Sequence, residues 1–161
     1  MDRLKRGYLL FTAVIILALA FLVFNKDSRN NSGFVDVTLG GQKIKAEVAD
    51  SEELRTKGLS ERENLPKNKG MLFVFEKADH HQFWMKDMKF SIDIIWINEG
   101  RVVDIVENAK PWEKGEANHK VYSPAKSAKY VLEVNAGFVS ETKIGIDDEV
   151  KSSIFQENID N

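Results

Sequence analysis

Residues 91–106 read SIDIIWINEGRVVDIV, two apolar-rich runs separated by Asn98-Glu99-Gly100. The first seven are apolar at almost every position, so the strand they form turns apolar side chains to both of its faces. Arg101–Val106 is a second strand, and Asn98-Glu99-Gly100 between them makes a short turn with glycine where a positive φ is usual. The two form an antiparallel hairpin. Asp93 stands out within it, because a carboxyl among apolar neighbours costs several kcal/mol unless it is paired or protonated. A cationic partner is therefore expected. Lys86, Arg55 and Arg62 are the candidates, each lying beside apolar residues, and a guanidinium would add bidentate geometry.

The same period of two recurs upstream. Val35, Val37 and Leu39 alternate with Asp36 and Thr38, Gly40-Gly41 follows, and Ile44, Ala46 and Val48 alternate with Lys43, Lys45 and Glu47. This predicts another hairpin. Asp50 then caps a helix over SEELRTKG, with Glu53 at capping-box distance and Gly58 at the end. Met71–Phe75 and Gln82–Lys86 read as strands, Lys110–Lys120 as an exposed loop, and Ala128–Val134 as a strand. FVSETK after Ala136-Gly137 reads as a short helix closed by Gly145, and Glu149–Phe155 as a final strand. The expected fold class is α+β: mostly antiparallel β, barrel-like, with two short helices, preceded by one N-terminal transmembrane helix. No repeat or low-complexity tract is present, which excludes a solenoid.

The apolar leader sets the domain organisation. Gly7–Phe24 is eighteen residues without a charge, about 27 Å as a helix and close to a bilayer core. Arg3, Lys5 and Arg6 precede it, so the N-terminus is expected in the cytoplasm and the remainder outside. The divisions are a cytoplasmic stub at 1–6, an anchor at 7–24, a polar linker at 25–33, a domain at 34–155 and a tail at 156–161. Ala18-Leu19-Ala20 has the spacing that signal peptidase prefers, which leaves open a cleaved signal and a secreted or periplasmic domain. The whole chain of 161 residues has 23 basic and 25 acidic side chains, a net charge of −2. Without the first thirty-three residues it has 18 against 23, which removes any global field for nucleic acid. No cysteine is present, so disulfides, thiolate chemistry and cysteine-ligated zinc are excluded.

Several blocks together resemble the domain-of-unknown-function 192 family over roughly residues 34–150. They are Arg55 with Gly58-Leu59, Arg62, Gly70-Met71-Leu72-Phe73-Val74-Phe75, Phe83-Trp84-Met85-Lys86, Asp93-Ile94-Ile95, and Tyr130-Val131-Leu132-Glu133 ahead of Gly137. The resemblance implies a compact, mainly β domain, often exported, with no established activity.

Trp84 and Lys86 share one face of their strand, and an indole beside an ammonium suits an anionic or sugar-like ligand. With Asp93, Arg55 and Arg62 they make up the expected pocket, and Tyr122 and Trp112 flank a loop able to cover it. The function expected is a non-catalytic module for a small ligand or envelope component. The alternatives are a hydrolase-like enzyme with Asp93 as acid or base, and a scaffold docking a membrane assembly. Asp79-His80-His81 with His119 is a weak metal set, and Ser123, His119 and Asp93 lack the surroundings of a catalytic triad. No catalytic residue, metal, cofactor or nucleic-acid partner is assigned, and oligomeric state is left open.

Overall fold

The computed structural model of the chain describes residues 33–112 and 120–155. The expected stub and anchor, the cut after Ala20, most of the linker, the centre of the 110–120 loop and the 156–161 tail lie outside these residues. Among the described residues no helix is long and apolar enough to cross a membrane.

The elements run β1 (Phe34–Leu39), β2 (Gln42–Ala49), α1 (Glu52–Lys57), β3 (Lys69–Asp79), β4 (Phe83–Trp84), β5 (Ile92–Asn98), β6 (Arg101–Ala109), β7 (Val121–Tyr122), β8 (Ala128–Asn135) and α2 (Phe138–Thr142), with a 3-10 turn at Ser153–Phe155. Six strands form one sheet in the order β1-β2-β3-β8-β5-β6, and β4 and β7 form a separate two-stranded ribbon. Every neighbouring pair in the six-stranded sheet is antiparallel except β2 and β3, which are joined through α1. Both expected hairpins are present with two-residue turns. Gly40 and Gly41 have φ of 57° and 73°, and Glu99 and Gly100 have 50° and 69°, the doubly positive pattern that matches strand twist.

The sheet is open, in place of the barrel-like closure expected from the sequence. β1 and β6 do not pair with each other; each receives a single residue from one C-terminal segment, Thr38 pairing with Lys151 and Arg101 with Glu149. The strand expected over Glu149–Phe155 is reduced to these two bridges and the 3-10 turn. A segment divided between two edges finds no run of partners on either, while Val150 between the bridges is buried. Three other boundaries move for local reasons. Ser51, not Asp50, caps α1, its hydroxyl accepting the Leu54 N–H at 3.2 Å. The 82–86 strand shrinks to β4 because a turn follows at once, with Met88 N–H on Met85 O at 3.4 Å and Asp87 at φ 56°. Lys143, at φ 56°, ends α2 before Gly145 is reached.

An apolar layer covers each face of the sheet. On one, Leu39, Ile44, Leu72, Ile95 and Leu132 pack with Val139 of α2; on the other, Phe73, Ile94, Trp96 and Val131 pack with Leu59, Leu65, Met85 and Tyr122. β5 is buried from Ile92 to Ile97, as its sequence implies, and Asp93 is fully enclosed beneath α2. The cation expected beside Asp93 is not its partner: one carboxyl oxygen accepts the N–H of Val139 at 2.9 Å and the other that of Asn108 at 2.8 Å. Val139 lies in the first turn of α2, where backbone amides lack helical acceptors. Asn108 lies where the β5–β6 register slips, at φ 52°, and this bulge turns its amide onto the carboxyl. Asp93 thus locks α2 and the β6 bulge to β5. Asp93→Ala strands two amides in a poorly hydrated position, and at about 1–3 kcal/mol each the expected loss is about 2–6 kcal/mol. The check is a lower urea midpoint at unchanged slope, with Asp93→Asn, which keeps one acceptor, falling in between.

Candidate functional site

The other face of the sheet carries the cleft. α1 leans on β3 because Arg55 reaches across: its Nη1 donates to Asp50 O at 2.6 Å and Val74 O at 2.9 Å, and its Cζ lies 5.2 Å from the centre of the Phe75 ring. Phe75 also stacks on His81, with centroids 3.5 Å apart and planes within 8°. The β4–β7 ribbon lies beside this pair. Strand alternation turns Phe83 inward, edge-on to Phe73 at 4.9 Å and to Trp96 at 6.1 Å. It turns Trp84 outward, where 53% of the residue is exposed and the Lys86 ammonium stands 5.6 Å over its ring.

Between α1 and the ribbon opens a cleft of about 490 Å³, with Phe73, Phe75, Phe83 and Trp84 on its walls and Arg55, Lys57, Lys86, Glu52 and Asp87 around it. Glu133 of β8 also lines it. The register sets Glu133 between Met71 of β3 and Ile94 of β5, so its side chain rises from the middle of the sheet and only 6% of the residue is exposed. No hydrogen bond to its carboxyl occurs among the described residues. Arg62 is the cation it feels, yet both Nη atoms of Arg62 form a fork on Glu47 at 2.7 and 2.8 Å. Burial pushes the Glu133 carboxyl up to about 8, against a smaller opposing pull from Arg62. In the fork the hydrogen bonds from Arg62 hold Glu47 below its ordinary value, and Arg62 is raised in return.

Of the six residues singled out from the sequence, the structure brings Arg55, Trp84 and Lys86 to this cleft. Arg62 stands beside it on Glu47 without lining it. Asp93 projects to the opposite face of the sheet, and Tyr122, 7% exposed, sits in the core with the Lys120 ammonium 4.8 Å from its ring centre. Trp112 is at the start of the loop whose centre, with His119, lies outside the described residues; among those described no three of His, Asp and Glu converge on a metal position. Glu133 and Glu47 carried no role in the sequence reading. The signal was present in YVLEV, where a glutamate interrupts apolar residues just as Asp93 interrupts SIDIIWI.

The architecture is that of a single mixed-sheet α+β domain with an acid-floored cleft on one face. Residues 35–152 match the model of DUF192, described as an uncharacterized ACR, and the chain belongs to that family. It is 27% identical over 118 residues to a UPF0127 protein of Thermococcus sibiricus, covering 70% of this chain and 69% of that one. It is 29% identical over 105 residues to a UPF0127 protein of Thermococcus kodakarensis, covering 62% and 59%. The fold is shared with a crystal structure of a Novosphingobium aromaticivorans protein of unknown function, with a TM-score of 0.65 and 30% identity over 73% of this chain and 83% of that one. A Sinorhizobium meliloti protein described as a candidate transcription regulator gives a TM-score of 0.66 and 26% identity over 74% and 92%.

The two raised and lowered acids have opposite linkage. Glu133 binds its proton more tightly folded than unfolded, so the stability it contributes is complete at low pH and is lost as pH rises from about 4.5 toward about 8. Glu47 contributes stability that is lost as pH falls through its depressed value. Glu133→Gln, which cannot ionise, is expected to remove the alkaline decline alone. Scanning calorimetry at pH 5 and pH 9 should show the fall in Tm smaller in the variant than in the parent chain by about 5 °C or more.

Proposed function

We propose that this protein is a non-catalytic binding module for a small ligand of the cell envelope, held outside the cytoplasm by its apolar leader. The observation that carries the binding reading is the cleft, which Arg55, Trp84 and Lys86 line together with Glu133, a buried carboxyl with no hydrogen-bond partner among the described residues. A volume of about 490 Å³ suits a small organic molecule, and aromatic walls with a few convergent polar groups are the usual make-up of such sites. The enzyme alternative built on Asp93 is disfavoured, because both of its carboxyl oxygens are engaged by backbone amides and the residue is sealed from solvent. The location reading rests on residues 3–24, an uncharged apolar run preceded by Arg3, Lys5 and Arg6.

Both parts are open to test on the full chain in a lipid nanodisc. Sugars, organic anions and amino acids at millimolar excess should include a class that raises Tm and shifts the Trp84 indole resonance, with both effects lost in Trp84→Ala and Lys86→Ala. A screen that moves neither, or a shift that survives both substitutions, contradicts the binding reading. A C-terminal reporter that works only outside the cytosol should be active, and activity of a cytosol-only reporter contradicts the location.

A further inference from the structure

The cleft supplies two kinds of charge at two depths. At the floor is the Glu133 carboxyl, more than nine-tenths buried and without a hydrogen bond from any described residue. Both Nη atoms of Arg62, the cation that acts on it, are bonded to Glu47. Nearer the exposed Trp84, Lys86 and Lys57 stand with Arg55 against Glu52 and Asp87, three cations to two carboxylates. Phe73 and Phe83 fill the space between with apolar surface. A simple anion that reached the floor would meet an acid, and a simple amine would have to pass the cations above. One ligand chemistry satisfies both depths.

Resting on the binding reading above, we propose that the cleft takes a zwitterionic ligand of the amino-acid type, its ammonium seated on Glu133 and its anionic end on Lys86 at the rim. The aromatic walls favour this entry, since their ring faces attract a desolvated cation. The ammonium also supplies the donors that the Glu133 carboxyl lacks, and a charge-assisted hydrogen bond in so buried a place is strong. The groups around Glu133 are Glu47 on β2, Arg62 beyond α1, Glu52, Arg55 and Lys57 on α1 or next to the cleft, and Lys86 and Asp87 after β4; its neighbours by register on β3 and β5 are the uncharged Met71 and Ile94.

Binding then has a proton balance. Near neutral pH the carboxyl carries its proton, held up by burial to about 8. When the ligand enters as R–NH3+, the carboxyl O–H proton passes to buffer, and a carboxylate remains against the ammonium. No covalent bond of the ligand changes. Release should approach roughly one proton per site near pH 7 and fall away as the pH rises beyond the carboxyl's own range.

Isothermal titration of the full chain in nanodiscs tests this with straight-chain amino acids bearing a terminal ammonium and a terminal carboxylate, of about four to eight carbons. The matching amines and carboxylic acids serve as controls. At least one zwitterion is expected to bind about tenfold or more tighter than both of its singly charged counterparts. The apparent enthalpy should vary with the ionisation enthalpy of the buffer, which reports the released proton. Glu133→Gln should lose the proton release and about tenfold in affinity, and Lys86→Ala, a change at an exposed position, should weaken the zwitterion without touching the proton release. Equal affinity for the zwitterion and its amine or acid, binding without proton release, or undiminished binding by Glu133→Gln overturns the proposal. If sugars or organic anions shift Trp84 while every zwitterion fails, the ligand class is wrong and the binding module stands. If nothing binds, both fall.

Discussion

β8 runs between β3 and β5 in the middle of a sheet that has an apolar layer on each face, so all of its residues but Lys129 and Asn135 are buried. Tyr130, Val131, Leu132 and Val134 suit that position, and Glu133 does not. An acid placed there has two ways to persist: it keeps its proton, or it receives a cation from outside. The cleft above it, with one wall from α1 and the other from the ribbon, leaves the second way open. Arg62 stands close enough to temper the burial, but its fork on Glu47 spends both nitrogens elsewhere.

The domain therefore contains two enclosed acids with contrasting fates. Register sets Ile94 beside Glu133 and Asp93 beside Val134, one residue along, so the two carboxyls leave the sheet on opposite faces. Asp93 finds the first turn of α2 and a bulged amide of β6, and it becomes a fastening within the fold. Glu133 finds aromatic rings and open space. Asp93 has both oxygens held by backbone amides, whereas the Glu133 carboxyl has no hydrogen bond from any described residue.

Both hairpins were legible because their signals are local: a period of two on each side, and Gly40-Gly41 or Glu99-Gly100 at the turn. Burial of Asp93 was legible from its neighbours in the chain, whereas its partners were not, since they are backbone amides exposed by a helix start and a bulge far away in sequence. Arg55, Trp84 and Lys86 converge because α1 and β4 both lean on β3, and spacing along the chain foreshadowed only the Trp84–Lys86 pair. Glu133 was legible as a charge among apolar residues, but its burial was not, because an alternating strand can keep one face in water. AKYVLEV reads as an ordinary strand, and only the sheet order β3-β8-β5 reveals that neither face of it meets water freely. The open sheet was equally beyond reach, for it depends on a C-terminal segment shared between two edges.

The most direct measurement is the proton affinity of the Glu133 side chain itself, followed by carbon NMR of its labelled carboxyl across a pH titration and assigned by its loss in Glu133→Gln. The expected midpoint is near 8, displaced upward by burial. A midpoint in the ordinary range of an exposed glutamate, near 4.5, would show the carboxyl hydrated or otherwise partnered and would contradict it.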